Sequence, residues 1–164
     1  MGKNNKKSED LFQRKHREIL KAIFSLAFSL ILFLSLFNLA GLAGQYLALA
    51  LKIIFGKISF AFPIFFLLSS FLFFSKEITS KTKLRILLGF FLILLIVSSF
   101  LNLFIKPEFK NLEEIKETGG YLGFFISSFI EKFFAFWGSI VILTALSIFS
   151  LFLILEESLK NKIG

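Results

Sequence analysis

The side chains best suited to chemistry in this chain stand alone. His16 is the only histidine, and its neighbours are Arg14, Lys15 and Arg17 rather than carboxylates. A metal ion needs several converging ligands, and a chain without cysteine has no thiolate to join that ring; a solvated histidine is expected. Glu113 and Glu114 form a carboxylate pair, but adjacent helical residues point apart and cannot work as acid and base on one substrate. They read as a solvated charged face. Hydroxyls recur through the apolar stretches at Ser25, Ser29, Ser69, Ser70, Ser98, Ser99, Thr144, Ser147 and Ser150. A serine nucleophile needs a base beside it, and the apolar runs contain none, so these hydroxyls are expected to bond their own helix or a neighbouring one. No catalytic residue, metal site or cofactor is expected, and the chain reads as a non-enzyme.

The dominant signal is apolar patterning. Of 164 residues 56% are hydrophobic, 26 of them phenylalanine, above the 45–50% usual for soluble domains even with glycine counted. The excess is gathered into runs near 20 residues, the length a helix needs to cross a hydrocarbon core of about 30 Å. The fold class that follows is an all-α integral membrane protein with four transmembrane helices. Spans are expected at about 18–37, 58–74, 84–104 and 136–155, behind a basic arm at 1–17 and ahead of a polar tail at 156–164. A cleavable signal peptide fits the first span poorly, because its apolar part exceeds a typical h-region.

Between the spans lie two shorter apolar segments, about 44–55 and 123–134. Twelve helical residues cover only about 18 Å, so each must rest at an interface or dip into the bilayer. Lys52 and Lys57 can carry their ammonium groups to water while their stems cover apolar surface. Glycines introduce both segments: Gly41 and Gly44 the first, Gly119, Gly120 and Gly123 the second. Gly56 is expected to end the first segment and a break around Gly138 the second. Pro63 lies within the returning run, where it is expected to kink the helix. Setting Tyr46-Leu47 against Tyr121-Leu122 gives a parallel duplication of the unit span, short helix, span.

Charge sets the orientation. The net charge of +8 would suggest nucleic acid as partner in a soluble chain, but beside membrane helices basic residues chiefly hold loops in the cytoplasm. Of the 19 Lys and Arg residues, 13 fall in the arm, the loop near Lys76–Arg85 and the tail, and 6 in the two opposite segments. Both termini are expected to be cytoplasmic.

The series Asn38, Gly41, Gly44, Leu47-Ala48, Phe55-Gly56 and Pro63, in a short helix between two spans and behind a basic arm, resembles the N-terminal four-helix membrane domain of the bacterial FtsK/SpoIIIE DNA translocases. The likeness extends to the glycine-rich second half and covers about 18–155. It implies an anchor for a hexameric translocase at the division septum of the inner membrane, in contact with other division proteins and serving cell division and chromosome partition. The motor's phosphate-binding loop, G-x-x-x-x-G-K-[ST], has no counterpart. Gly56-Lys57-Ile58-Ser59 is the nearest fragment, with Leu51 and Ile58 at the deciding positions. DNA and ATP would therefore be reached only through a motor domain absent from these residues. The alternative is a small tetraspan transporter or channel subunit, since repeats with broken helices often build substrate sites; against it, no charged residue lies deep in a span.

Overall fold

The computed structural model describes residues 2–75, 78–106 and 112–163. Lys76 and Glu77 of the first loop, and Glu108 and Lys110 of the second, lie outside the described residues. The described residues hold helices and no strand: α1 (Gly2–Leu36), α2 (Gly41–Phe55), a 3₁₀ turn (Gly56–Phe60), α3 (Ala61–Phe74), α4 (Ser80–Ile105), α5 (Leu112–Glu117) and α6 (Gly120–Ile163). Among the described residues four stretches are long and apolar enough to cross a membrane: His16–Leu36, Gly41–Phe74, Ser80–Ile105 and Gly120–Leu155. The second and fourth are each broken into a short helix and a span.

No backbone break separates the basic arm from the first span. Helix α1 has 35 residues, about 52 Å at 1.5 Å per residue, so its N-terminal part must project beyond a hydrocarbon core of about 30 Å. It ends in a Schellman motif. Asn38, at φ 60°, donates its N–H to Ser35 O at 3.0 Å, and Leu39 donates to Leu34 O at 2.8 Å. Asn tolerates the left-handed region better than most residues, which gives Asn38 a backbone role. Gly41, at φ 64°, then opens α2, whose buried Gly44 lets the helix start against Ser35.

Gly56 (φ 59°, ψ −138°) terminates α2, as expected. The 3₁₀ turn that follows changes what Pro63 does. Helix α3 begins at Ala61, which places the proline in the first turn, where a missing N–H leaves no internal bond unmade. The expected kink is therefore replaced by a helix start. The span works as a composite, since α3 supplies about 21 Å and the five-residue turn about 10 Å more.

The second break also differs from expectation. It falls at Ala135 (φ 53°, ψ 179°), not around Gly138, which sits on the helix that resumes. The two short helices now match residue by residue. Each opens on a glycine of positive φ, Gly41 or Gly120, and reaches its break fifteen residues later, at Gly56 or Ala135. This register pairs Gly41 with Gly120 and Gly44 with Gly123, four residues, or about one helical turn, from the register that matched the Tyr-Leu pairs. The glycine spacing and backbone angles, not the tyrosines, carry the repeat.

Each unit packs its own spans together, α1 along α3 and α4 along α6. Lipid is as apolar as leucine, so close approach and polar bonds must hold such pairs. Ser25 Oγ donates to Phe66 O (2.8 Å), Ser29 Oγ to Pro63 O (2.7 Å) and Ser70 Oγ to Ala22 O (2.8 Å). In the second unit Ser150 Oγ donates to Gly89 O at 2.9 Å. Ser99 and Thr144 bond their own helices, to Leu95 O and Ile140 O. Ile96, Leu103 and Leu143 form the buried apolar cluster between α4 and α6.

At one end, the two units are joined through Lys83, on the first turns of α4. Only 4% exposed, it reaches Glu18 Oε2 of α1 at 3.0 Å and Phe73 O of α3 at 3.2 Å. Losing one partner of a fully buried ion pair costs about 3–5 kcal/mol, but Glu18 has a side chain 21% exposed and retains Lys21 at 3.5 Å. Lys83→Met is accordingly expected to cost about 1–2 kcal/mol, lowering the unfolding temperature in detergent by about 4 °C. A melt indistinguishable from the parent chain would contradict this role.

Candidate functional site: the glycine junction

At the opposite end the units meet backbone to backbone. The end of α2, the 3₁₀ turn and the start of α6 come together over the last turns of α4. Lys57 N–H donates to Thr118 O at 2.8 Å. A Cβ built on Gly56 would lie 2.7 Å from Thr118 C and 2.5 Å from Gly120 N. On Gly120 it would lie 2.6 Å from Ile54 C, and on Gly119 2.7 Å from Ser98 C, closer still to the carbonyl oxygens beside them. Only glycine permits main chains this near.

Asn102 and Ser98 hold the junction from below. Both are buried, four residues apart on one face of α4. Asn102 Oδ1 accepts from Gly119 N–H at 3.3 Å, and Asn102 Nδ2 donates to Gly120 O at 3.0 Å and to Ser98 O at 3.3 Å. Ser98 Oγ donates to Gly119 O. The bond from Gly119 N–H satisfies a donor that a helix start leaves open, in a place where unpaired polar groups are costly, and the bonds to the two carbonyls clamp that start to α4. A Cβ on Gly123 would sit 2.5 Å from Asn102 Nδ2, so this glycine makes room for the amide. Ser59 Oγ is fully buried there on the 3₁₀ turn and has no hydrogen-bond partner.

The rim is charged. Lys57 pairs with Glu117 at 3.2 Å, and Lys116 with Glu113 at 3.1 Å. The side chain of Glu113 is 81% exposed, as a solvated face requires. Helix α5 was not expected from so mixed a loop; it forms around Ile115, which is fully buried. Lys106, the left-handed C-cap of α4, reaches Glu131 at 2.6 Å and lies over the Phe136 ring. It thereby ties α4 to both sides of the break at Ala135. Trp137, just past that break, is 78% exposed, consistent with an interfacial anchor.

Four of the motif residues therefore converge at one site: Gly56, Gly119, Gly120 and Gly123. Asn38, Gly41 and Gly44 shape the α1–α2 turn instead, Pro63 begins α3 against Ser29, and Gly138 lies beyond the second break. Asn102, Ser98 and Thr118 were not singled out from sequence for this role. Asn102 did carry a signal, as the one amide in the apolar run of α4. Among the described residues no group of three His, Cys, Asp or Glu could hold a metal. The site is suited to fixing two helical units in one arrangement.

Comparison with known families matches residues 32–163 to the family described as the 4TM region of DNA translocase FtsK/SpoIIIE. A curated relative, DNA translocase FtsK from Caldanaerobacter subterraneus subsp. tengcongensis, is 29% identical over 164 residues. The match covers 94% of this chain and 23% of the relative, so the chain spans less than a quarter of that protein's length. No solved structure matches.

Proposed function

Because the chain belongs to the family of the four-transmembrane region of FtsK/SpoIIIE DNA translocases, we propose that it is the module that carries a translocase to the division septum and holds it there. Its membrane-anchoring character in the inner membrane follows from the family and from the four spans. The observation that carries the finer reading is the double joining of the two units, by Lys83 at one end and the glycine junction at the other. A pair of helical hairpins joined only by loops would splay under load; one fastened at both ends can transmit a fixed position to whatever follows it.

In this reading both termini are cytoplasmic, the glycine junction faces outward, and α2, α5 and the start of α6 offer a surface to division-site membrane proteins. The assembly is a homo-oligomer, a hexamer by family likeness. DNA and ATP are handled by a motor domain outside these residues, and the chain uses no cofactor. Glycines 41, 44, 56, 119, 120, 123 and 138, with Asn38 and Pro63, act as scaffold.

The chain 1–164 carrying an N-terminal fluorescent protein is expected to concentrate at midcell in dividing bacteria. The same chain in reconstituted vesicles is expected to pass no solute. Uniform membrane fluorescence would remove the septal role, and solute flux would favour a transporter.

A further inference from the structure

On the face joined by Lys83, a cavity of about 360 Å³ opens between α1, the end of α3 and the start of α4. Its lining has two parts. Phe73, Leu84 and Leu87 give an apolar floor, and Lys21, Ser80 and Lys81 a polar rim. Both rim lysines are exposed, and Lys21 lies over the Phe73 ring at 5.6 Å. Among the described residues the one carboxylate in the lining is Glu18; Lys83 engages it at 3.0 Å and Lys21 at 3.5 Å, which leaves positive charge in excess. With Lys21, Lys81 and Lys83 set against Glu18, the neighbourhood is net positive. The start of the 26-residue α4 adds the positive end of a helix dipole.

We propose that this cavity binds one anionic diacyl phospholipid. The lipid phosphate would lie between Lys21 and Lys81 at the start of α4, with an acyl chain running down over Leu84 and Leu87. The depth fits, because the cavity sits where the apolar residues of α4 begin, at the level of lipid headgroups. So does the division of the lining: a free phosphate would have no use for the apolar floor, and a zwitterionic lipid would bring a cation of its own against the lysines. Basic pockets between spans are a known means of selecting anionic headgroups. A bound lipid here would bridge α1 to α4 beside Lys83, adding a membrane component to the joint between the units. The inference rests on the membrane-spanning fold, not on the septal role.

The test uses the purified chain 1–164 in non-ionic detergent, so that its orientation in a cell has no bearing on the result. Binding of dioleoyl phosphatidylglycerol and dioleoyl phosphatidylcholine is measured by native mass spectrometry. At roughly 1 kcal/mol per lysine near a charged lipid surface, two lysines give about 30-fold preference for phosphatidylglycerol. That preference is expected to vanish in Lys21→Gln/Lys81→Gln and to survive in Lys21→Arg/Lys81→Arg. It should also survive in Lys52→Gln/Lys57→Gln, which alters lysines at the other end of the molecule. Equal retention of the two lipids by the parent chain would overturn the site, whatever the variants do. Loss of preference in the distant variant would overturn it as well, by showing general charge attraction. Displacement of the lipid by free glycerol phosphate would replace it with a small-phosphate site.

Discussion

Gly119→Ala is expected to leave little folded protein in the membrane. The added methyl would fall 2.7 Å from the carbonyl carbon of Ser98, nearer still to its oxygen, whereas a carbon normally stands about 3.3–3.6 Å from a carbonyl oxygen. The Asn102 amide would stand 2.6 Å away and could turn aside, but the Ser98 atoms are main chain, so no rotamer change relieves that contact; α4 and α6 must separate. Ordinary overpacking costs about 1–3 kcal/mol. Here separation also breaks the Asn102 and Ser98 bonds, which takes the expected loss beyond about 4 kcal/mol. Gly41→Ala supplies the comparison. Its Cβ would meet nothing within 4 Å, leaving only the left-handed strain of about 1–2 kcal/mol. Membrane yield and elution as a single species measure both variants. A Gly119→Ala chain that melts like Gly41→Ala would show that the junction is not close-packed.

Asn102→Leu is expected to be the most damaging polar-to-apolar change in the spans. Leucine fits the shape and suits the bilayer, yet it strands the Gly119 N–H and removes the amide's bond to the Gly120 carbonyl, which keeps only its place in α6. The unsatisfied N–H costs about 1–3 kcal/mol and the lost bond to the carbonyl about 1 kcal/mol, so about 2–4 kcal/mol is lost in all. Interhelical hydrogen bonds in membranes average only about 0.6 kcal/mol, because the same groups also find partners in the unfolded state within the membrane. That smaller figure applies to Ser29→Ala, whose partner, the Pro63 carbonyl, lies in a helix turn. The stranded N–H of Gly119 belongs to a turn held against α4 and α2 by the close approach of Gly119 and Gly120, with nowhere to rotate. The unfolding temperature should therefore fall several times further for Asn102→Leu than for Ser29→Ala. Equal drops would show that Asn102 is one interhelical bond among many.

The four spans were legible because a bilayer demands runs of fixed length, and the break at Gly56 because glycine marks backbone freedom. The break at Ala135 was not, since alanine is a good helix former and only tertiary contacts hold it at positive φ. Lys106, reaching Glu131 and the Phe136 ring, and the docked start of α6 do this, and neither is local in sequence. The repeat register failed for a related reason. Tyr46-Leu47 and Tyr121-Leu122 look alike as letters, but the constraint is the backbone at Gly41 and Gly120. Pro63 carried a real signal whose meaning depended on where α3 begins, and the 3₁₀ turn decided that. The Lys83–Glu18 pair spans 65 positions, beyond any pattern of spacing. Asn102 could be noticed as an amide among apolar residues, though its partners became visible only when α6 was docked.

That the two glycine-led helices lie together on the outer face, with the Lys83 joint inside, is tested most directly by thiol accessibility. The chain has no cysteine of its own, so single substitutions report cleanly. Lys57 and Lys132 are exposed beside the two breaks, and Ser80 is exposed at the start of α4. In intact spheroplasts a membrane-impermeant maleimide is expected to label Lys57→Cys and Lys132→Cys, and to label Ser80→Cys only after the membrane is opened. Labelling of Ser80→Cys from outside, or of Lys57→Cys and Lys132→Cys from opposite faces, would contradict the paired span, short helix, span arrangement on which the anchor depends.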